Sequence, residues 1–188
     1  MDYTKITVAE AIQEIERVTA EVNRGFGSLS PTQLNWKPAA DRWSIGECIE
    51  HLMTANGRYS PVVEAILAGQ YSKPLLGRIP GYPGMCGRIL INAVSPQTTR
   101  KVKTMAVFEP ARSTVDADEV ARFSEHQGRL VKLIRKSEQL DLRKTIVASP
   151  ATSMIVYSLL DAWRLIAAHE VRHLGQARNV AVMDGFGT

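Results

Sequence analysis

Two histidines on one helical turn are the residues of this sequence with the clearest chemical potential. His169 and His173 lie four positions apart in the segment HEVRH. On a helix, residues at i and i+4 stack on one face, about 6 Å apart. Two imidazoles at that spacing can chelate one metal ion, but they can equally be buried side chains that are hydrogen-bonded to backbone or acidic partners. The pair alone leaves both interpretations open.

The apolar pattern around the pair predicts that both rings point inward. One helical stripe contains both histidines and consists of Leu159, Ala162, Ile166, His169, His173, Gln176 and Val180. Side chains that follow such a stripe share the face that packs on the core. Unpaired imidazoles in an apolar interior are costly, and a shared metal ion would satisfy them.

The same segment fits the HExxH pattern of zinc peptidases, in which the glutamate, here Glu170, acts as general base. Such an enzyme takes its third ligand from further along the chain and holds its peptide on an edge strand. Only fifteen residues follow His173, with no histidine and one acid, Asp184. We therefore keep the peptidase as a minor alternative. Glu170 is the one candidate for proton transfer, although it lies about 100° around the helix from His169 and can equally face solvent.

A third imidazole, that of His51, comes from a second predicted helix. It lies one turn after Glu47, near the buried edge of that helix. In helix bundles, metal sites are assembled from side chains on facing helices. Three neutral imidazoles leave a coordination position open, as in catalytic rather than structural sites. We therefore predict that His51, His169 and His173 bind a divalent transition metal, and we assign the fourth histidine, His126, to the surface or to packing.

Four long helical segments are predicted to position these side chains. Capping boxes begin the first two, because Thr7 and Ser44 are each followed by a glutamate three residues later. The second helix is expected to kink or break at Pro61. Apolar periodicity predicts the third helix over about residues 116–137 and the fourth over about residues 158–183.

Two connections join these helices. The stretch from residue 70 to 112 holds five prolines and four glycines, and we expect a lid or packing arm with one short helix at 88–94. Residues 140–157 are expected to be irregular, with an extended piece allowed at 145–148 and no sheet. The predicted fold class is therefore all-α: a four-helix bundle with one long Pro/Gly-rich crossover connection, forming a single domain over residues 1–188.

The amino-acid composition indicates which broad class of protein the chain belongs to. Hydrophobic residues make up 45% and charged residues 22% of the chain, an ordinary globular balance. No apolar run approaches the ~18 residues of a membrane helix. The N-terminus carries charges where a signal peptide would be apolar, so we expect a cytoplasmic protein. Cys48 in a helix and Cys86 in a loop are expected to be reduced thiols.

The positive charge raises the question of nucleic-acid binding. The formal net charge is +4 and the isoelectric point is near 9.2. The basic clusters at residues 100–103 and 143–144 have no interleaved aromatics and no recognised reading motif. We therefore interpret them as solvated surface charge and do not expect nucleic acid as a partner. A mildly basic surface can still attract a small anionic molecule.

Two sequence motifs at opposite ends of the chain resemble those of a known family. The segments LNWKP (residues 34–38), WSIGE (43–47) and HL (51–52) look like the "L-n-x-k-P … W-S-i-x-e-x-x-x-H-l" signature of the DinB-like superfamily, which includes DinB and YfiT-type metalloenzymes. The segment HEVRHLGQ (169–176) is similar to that family's "H-x-x-x-H-x-x-Q". Both motifs occur in the family's order, and the helix plan covers nearly the whole chain.

The resemblance implies a four-helix bundle in which His51, His169 and His173 hold nickel, zinc or a similar ion. Characterised relatives include thiol-dependent transferases and isomerases in which the metal binds a low-molecular-weight thiol. The implied function is a metal-dependent enzyme, either a thiol-dependent transferase or a small-molecule hydrolase. Its expected partners are a small-molecule substrate and a low-molecular-weight thiol, and a homodimer is compatible with this function.

A non-catalytic metal-binding module of the stress response is the alternative, in which the metal site mainly stabilises the bundle. This sequence departs from a typical family member chiefly in the stretch 70–112, which bears on the shape of the substrate pocket. Within the matched motifs, Trp43 is expected to pack as a plug at the mouth of the bundle, and Glu47 to serve as the cap partner of Ser44. Gln176 is expected either to support His173 or to pack between helices.

Overall fold

The computed structural model of the chain describes residues 1–98 and 104–187. This part of the chain is mostly helical, with helices α1 (Val8–Phe26), α2 (Pro31–Asn35), α3 (Ile45–Gly57), α4 (Ser60–Leu67), α5 (Tyr82–Val94), α6 (Glu119–Ser137) and α7 (Leu159–Ala181). Short 3₁₀ turns lie at Leu75–Arg78 and Ala106–Phe108, and two strands, β1 (Ile146–Ser149) and β2 (Thr152–Ser158), precede α7. None of the described helices is long and apolar enough to cross a membrane.

Side-chain caps confirm the predicted starts of the first two helices. The Thr7 hydroxyl accepts a hydrogen bond from the backbone N–H of Glu10, whose carboxylate accepts one from the N–H of Thr7. Ser44 and Glu47 repeat this reciprocal pair at α3. These bonds satisfy amide groups that the first turn of a helix leaves without partners. The second capping box fixes the start of α3 about two turns before His51.

The apolar core lies between helices that are in direct contact. Helix α1 packs against α6 and α7, and α3 packs against the same two helices. One buried cluster includes Trp163 of α7, and a second includes Phe123 of α6 and Leu52 of α3. Full burial of a large apolar side chain contributes about 1.5–3 kcal/mol. This packing places α3 and α7, which carry the predicted metal ligands, in direct contact.

The predicted break at Pro61 is confirmed. Helix α3 ends at Gly57 and α4 begins at Ser60, so Pro61 lies in the first turn of a new helix. In that position proline costs no intrahelical hydrogen bond. Tyr59 lies in the break with its side chain buried.

The described chain is mostly helical, but the expectation of no sheet is wrong, because the connection after α6 folds as an antiparallel hairpin of β1 and β2. Val147 pairs with Tyr157, and Ile146 with Ser158. The segment TSMIVY at residues 152–157 contains the β-branched and aromatic residues that strands favour, and the sequence-based prediction overlooked it.

The Pro- and Gly-rich stretch contains more regular structure than predicted. Helix α5 begins at Tyr82 rather than at residue 88, so Cys86 is buried in a helix and not in a loop. Gly87 permits close packing of α5 on α7, because a Cβ atom there would lie 2.7 Å from Oδ2 of Asp161. Helix α5 therefore packs against α7 and β2.

The structure describes only one of the two basic clusters. The predicted cluster at residues 100–103 lies outside the described residues. Arg143 and Lys144 are exposed in the turn before β1, and Nζ of Lys144 lies 3.1 Å from the carboxylate of Asp141.

Candidate metal centre

His51, His169 and His173 meet where α3 contacts α7. Nε2 of His169 lies 3.1 Å from Nε2 of His51 and 3.0 Å from Nε2 of His173. Helix α7 supplies two rings one turn apart, and α3 supplies the third from the facing side. Ligand atoms of the three residues all lie within 4.8 Å of one another, so the predicted group is present and could hold a metal ion.

The donor atoms fit a metal ion better than they fit a hydrogen-bonded cluster. A neutral imidazole has one N–H and one lone pair. Nε2 of His169 can therefore form a hydrogen bond with only one of its two close neighbours. Nitrogen ligands lie about 2.0–2.1 Å from zinc, which places neighbouring ligand nitrogens roughly 3–3.4 Å apart. Both distances from Nε2 of His169 are thus within the range expected for nitrogens that share one coordination sphere.

Burial keeps the three rings neutral. It lowers the pKa of His169 from 6.5 to about 3, that of His173 well below 6.5, and that of His51 below 6.5. The positive charge of Arg172 acts in the same direction at His169 and His173. Neutral imidazole is the form that binds a metal. The centre therefore presents lone pairs, and not positive charges, at neutral pH.

A backbone carbonyl orients His51. Nδ1 of His51 lies 2.5 Å from the carbonyl oxygen of Phe108, so Nδ1 carries the proton and donates it to that oxygen. This tautomer leaves the lone pair on Nε2, which faces His169. Phe108 ends a 3₁₀ turn within the Pro- and Gly-rich stretch. That stretch therefore contributes directly to the centre, which no motif in the sequence indicated.

Trp43 packs against two of the histidine rings. Its ring centroid lies 4.7 Å from that of His51 and 5.7 Å from that of His173, with the Trp43 and His173 planes 27° apart. Gln176 lies beside His173, and both Trp43 and Gln176 line the adjoining cavity. Trp43 thus has the packing role expected of it and restricts the motion of the two rings.

A cavity of about 570 Å³ opens beside the three histidines. Most of its wall is apolar and comes from α5, α7, the hairpin and the segment before α6, with Leu90, Val94, Met105, Phe108, Ile155 and Leu165 as examples. Small-molecule sites have volumes of roughly 300–1,000 Å³ and similarly apolar walls. The cavity is therefore suited to a small, largely apolar molecule.

Two of the charged groups of the cavity wall face solvent, and a third contacts backbone carbonyl groups. Asp41 and Arg42 are exposed to solvent. Nη1 of Arg172 lies 3.2 to 3.4 Å from three carbonyl oxygens at and just after the end of α5, those of Ala93, Ser95 and Thr98. Because burial of a further charge in a largely apolar wall is costly, the interior favours an uncharged ligand.

Glu170, the predicted candidate for proton transfer, is not among the residues that line the cavity. It is 0% exposed, so the alternative that it faces solvent is wrong. Its Oε1 accepts hydrogen bonds from Nδ2 of Asn56 (2.7 Å) and Nε2 of Gln127 (2.6 Å), which join α7 to α3 and α6. A carboxyl group held in this way is not positioned as the general base of a peptidase. Asn56 and Gln127 carry no sequence signal for this role, because they come from other helices.

Replacement of Glu170 by alanine is expected to lower the free energy of unfolding by about 2–4 kcal/mol. The two buried amide groups of Asn56 and Gln127 would lose their acceptor, and a cavity would remain. Glu170→Gln keeps a carbonyl oxygen for both amides and should change stability by less than about 1 kcal/mol at neutral pH. Urea unfolding followed by circular dichroism measures both variants. A larger loss for glutamine than for alanine would contradict this account.

The difference in stability between the wild type and Glu170→Gln should depend on pH, and its direction can be predicted. Burial raises the pKa of Glu170 from 4.5 to about 8, against the effect of the two amide donors. Between these values the folded protein keeps a proton that the unfolded chain releases. The stability that Glu170 contributes is therefore complete below pH 4.5 and is lost as the pH rises through about 8. Glu170→Gln lacks this ionisation, so it should gain stability relative to wild type as the pH rises through that range.

The fourth histidine, His126, does not join the other three. It is half-buried on α6, beside Gly57 at the end of α3. The group of metal-ligating side chains found among the described residues contains only His51, His169 and His173. This placement agrees with the packing or surface role predicted for His126.

The model of a known protein family matches most of the chain. The model of the DinB superfamily matches residues 14–177, a region that contains all three clustered histidines and both motifs of the sequence. No curated protein and no solved structure gives a significant match. Since the family match extends over far more than half of the sequence, the chain belongs to the DinB superfamily.

Proposed function

We propose that the protein is a metal-dependent enzyme that acts on a small, largely apolar molecule at His51, His169 and His173. Helices α1, α3, α6 and α7 would form the four-helix bundle that holds the centre. The observation that carries this proposal is the convergence of three imidazole groups at the wall of a cavity of about 570 Å³. A structural metal site is closed by its ligands, whereas this one can be reached by a small molecule.

A divalent transition metal such as nickel or zinc, when bound there, would lower the pKa of a thiol or water at an open coordination position and so supply a nucleophile near neutral pH. The residues of the chain provide what this chemistry requires. The neutral rings offer their Nε2 lone pairs, and the Phe108 carbonyl holds His51 in the required tautomer. Trp43 packs on two of the rings and limits the access of solvent from its side.

A thiol-dependent transferase is the reaction class that we favour, with a small-molecule hydrolase as the second candidate. Apolar side chains form most of the wall, and exclusion of water favours a thiol as the nucleophile. Asp41, which is exposed, is the one carboxylate among the described residues of the wall. We therefore infer that the thiol proton passes to solvent and not to a buried base.

Addition of mercaptoethanol to the Co²⁺-substituted protein is expected to produce a sulfur-to-cobalt charge-transfer band in the near-ultraviolet spectrum. The thiol would occupy the position that three histidines leave open. Ethylene glycol, which has the same shape but no sulfur, is the control and should leave the spectrum unchanged. A spectrum that does not respond to thiol would indicate a closed centre and would favour the non-catalytic metal-binding module.

A further inference from the structure

Three hydroxyl groups lie together in the wall of the same cavity. Tyr59 comes from the break between α3 and α4, whereas Ser149 and Tyr157 come from the two strands of the hairpin. Tyr59 and Tyr157 are 5% and 1% exposed, and their hydroxyl oxygens lie 2.7 Å apart. The Ser149 side chain lies within hydrogen-bonding reach of Tyr157. We refer to Tyr59, Ser149 and Tyr157 as the hydroxyl cluster.

The hydroxyl cluster has more donor protons than its own contacts use. Each hydroxyl group donates one proton and can also accept. The contact between Tyr59 and Tyr157 uses one proton, and a hydrogen bond between Ser149 and Tyr157 would use a second. One of the three protons therefore remains, whichever way the two contacts are directed. Among the described residues, no hydrogen bond runs from the cluster to an acceptor outside it.

The remaining donor faces surroundings that favour an uncharged acceptor. A buried donor without a partner costs free energy comparable to a lost hydrogen bond. The charged residues of the cavity are either exposed, as are Asp41 and Arg42, or bonded to backbone carbonyls, as is Arg172. A neutral oxygen would satisfy the donor without the cost of burying a further charge.

We propose that the hydroxyl cluster binds a hydrogen-bond acceptor of the substrate, a carbonyl or ether oxygen on an uncharged and otherwise apolar molecule whose reacting group lies at the three histidines. This inference rests on the proposed function, since it takes the histidines as the reacting end of the cavity. At about 30 Å³ for a water-sized unit, a volume of about 570 Å³ holds a molecule on the order of twenty non-hydrogen atoms.

Two thiols that differ in a single acceptor test the proposal. para-Acetylbenzyl mercaptan has a carbonyl oxygen where para-isopropylbenzyl mercaptan has a methyl group. With the Co²⁺-substituted protein, the charge-transfer band reports thiolate binding, with the thiol proton released to solvent, and its titration gives each Kd. We expect the acetyl compound to bind about tenfold more tightly, because the isopropyl compound leaves the donor of the hydroxyl cluster without a partner.

Variants test whether the tighter binding of the acetyl compound depends on the hydroxyl cluster. The triple variant Tyr59→Phe/Ser149→Ala/Tyr157→Phe removes all three donors and should bind the two thiols within about twofold of each other. Tyr82→Phe is the matched control, because the Tyr82 hydroxyl donates to the carbonyl of Met154 in the same hairpin, yet Tyr82 does not line the cavity. This control should keep the tenfold preference. Metal content and circular dichroism verify that each variant is folded.

The outcomes separate this proposal from the proposed function. Equal binding of both thiols to the wild type, or a preference that persists in the triple variant, would overturn the role of the hydroxyl cluster while the thiol site stands. If neither thiol produces a band, the thiol-dependent function fails. Acetophenone and cumene, which differ in the same way but contain no thiol, then test the cluster by ligand-observed NMR: tighter binding of acetophenone supports it, and equal binding overturns it. The wild-type comparison remains decisive even if the triple variant does not fold.

Discussion

Replacement of His51 by alanine is expected to lower the affinity of the protein for Zn²⁺ or Ni²⁺ by more than about 100-fold. The variant would keep only the two nitrogen donors of α7. Loss of residues that merely orient metal ligands already costs about 10- to 100-fold in affinity, so loss of a ligand should cost more. Competition with a chromophoric chelator measures the affinity, and circular dichroism verifies that the variant retains its helices.

His126→Ala is the matched control for this experiment. It also removes one imidazole from a helix, but His126 lies on α6 and outside the group of clustered histidines. We expect it to bind metal as the wild type does. Wild-type affinity in His51→Ala would show that α3 takes no part in metal binding. Equal losses in both variants would show that histidines bind metal without a defined centre.

The histidines of the centre could be predicted because their signal is local or belongs to a motif. The spacing of His169 and His173 places them on one helical face whatever the rest of the chain does, and His51 lies in a motif that resembles the family signature. The carbonyl of Phe108 has no such signal, since every residue has a carbonyl group and only the tertiary fold brings this one to His51. The same holds for Tyr59 and Tyr157, which are 98 positions apart in sequence.

The helices likewise divide into those that a local sequence pattern predicts and those that depend on tertiary packing. The capping boxes of α1 and α3 are local patterns, and both helices begin where the sequence predicts. Helix α5 contains Gly84 and Gly87, which are poor helix formers, and its first turn contains Pro83, which is tolerated only there. Its length therefore depends on its packing against α7 and β2, and not on intrinsic propensity. Sequence periodicity detects only the second half of such a helix.

Removal of the metal by a chelator is expected to preserve the helical circular dichroism and to lower the melting temperature by about 5–10 °C at neutral pH. The apolar clusters around Trp163 and Phe123 do not depend on the histidines and should keep the protein folded. A metal that binds only the folded protein stabilises it by about 2.7 kcal/mol at 100 times its Kd. For a chain of this length, each kcal/mol corresponds to about 2–4 °C. Loss of helicity on chelation would instead make the metal structural.

The pH dependence of that temperature difference tests the burial of the three imidazoles. An ordinary histidine titrates near pH 6.5, so the sequence alone predicts that the difference fades there and is nearly gone at about pH 5. In the folded protein, however, burial lowers the pKa of His169 to about 3, and the pKa values of His51 and His173 are also lowered. The folded centre therefore keeps its lone pairs at pH 5, and the stabilisation by metal should persist there.

The stability of the metal-free protein should behave differently over the same range. Below about pH 6.5 the histidines of the unfolded chain take up protons that the folded protein does not, so their contribution makes the folded state less stable as the pH falls towards 3. The raised pKa values of Glu119 and Glu170 make the folded state more stable as the pH falls. Because this effect is the same in the metal-bound and the metal-free protein, it cancels in the difference between their melting temperatures. Melting curves with and without chelator at about pH 7.5, 6 and 5 measure both effects. A difference that disappears by pH 5 would mean that the three rings titrate as solvent-exposed histidines do, and that the centre is open to water in the folded protein.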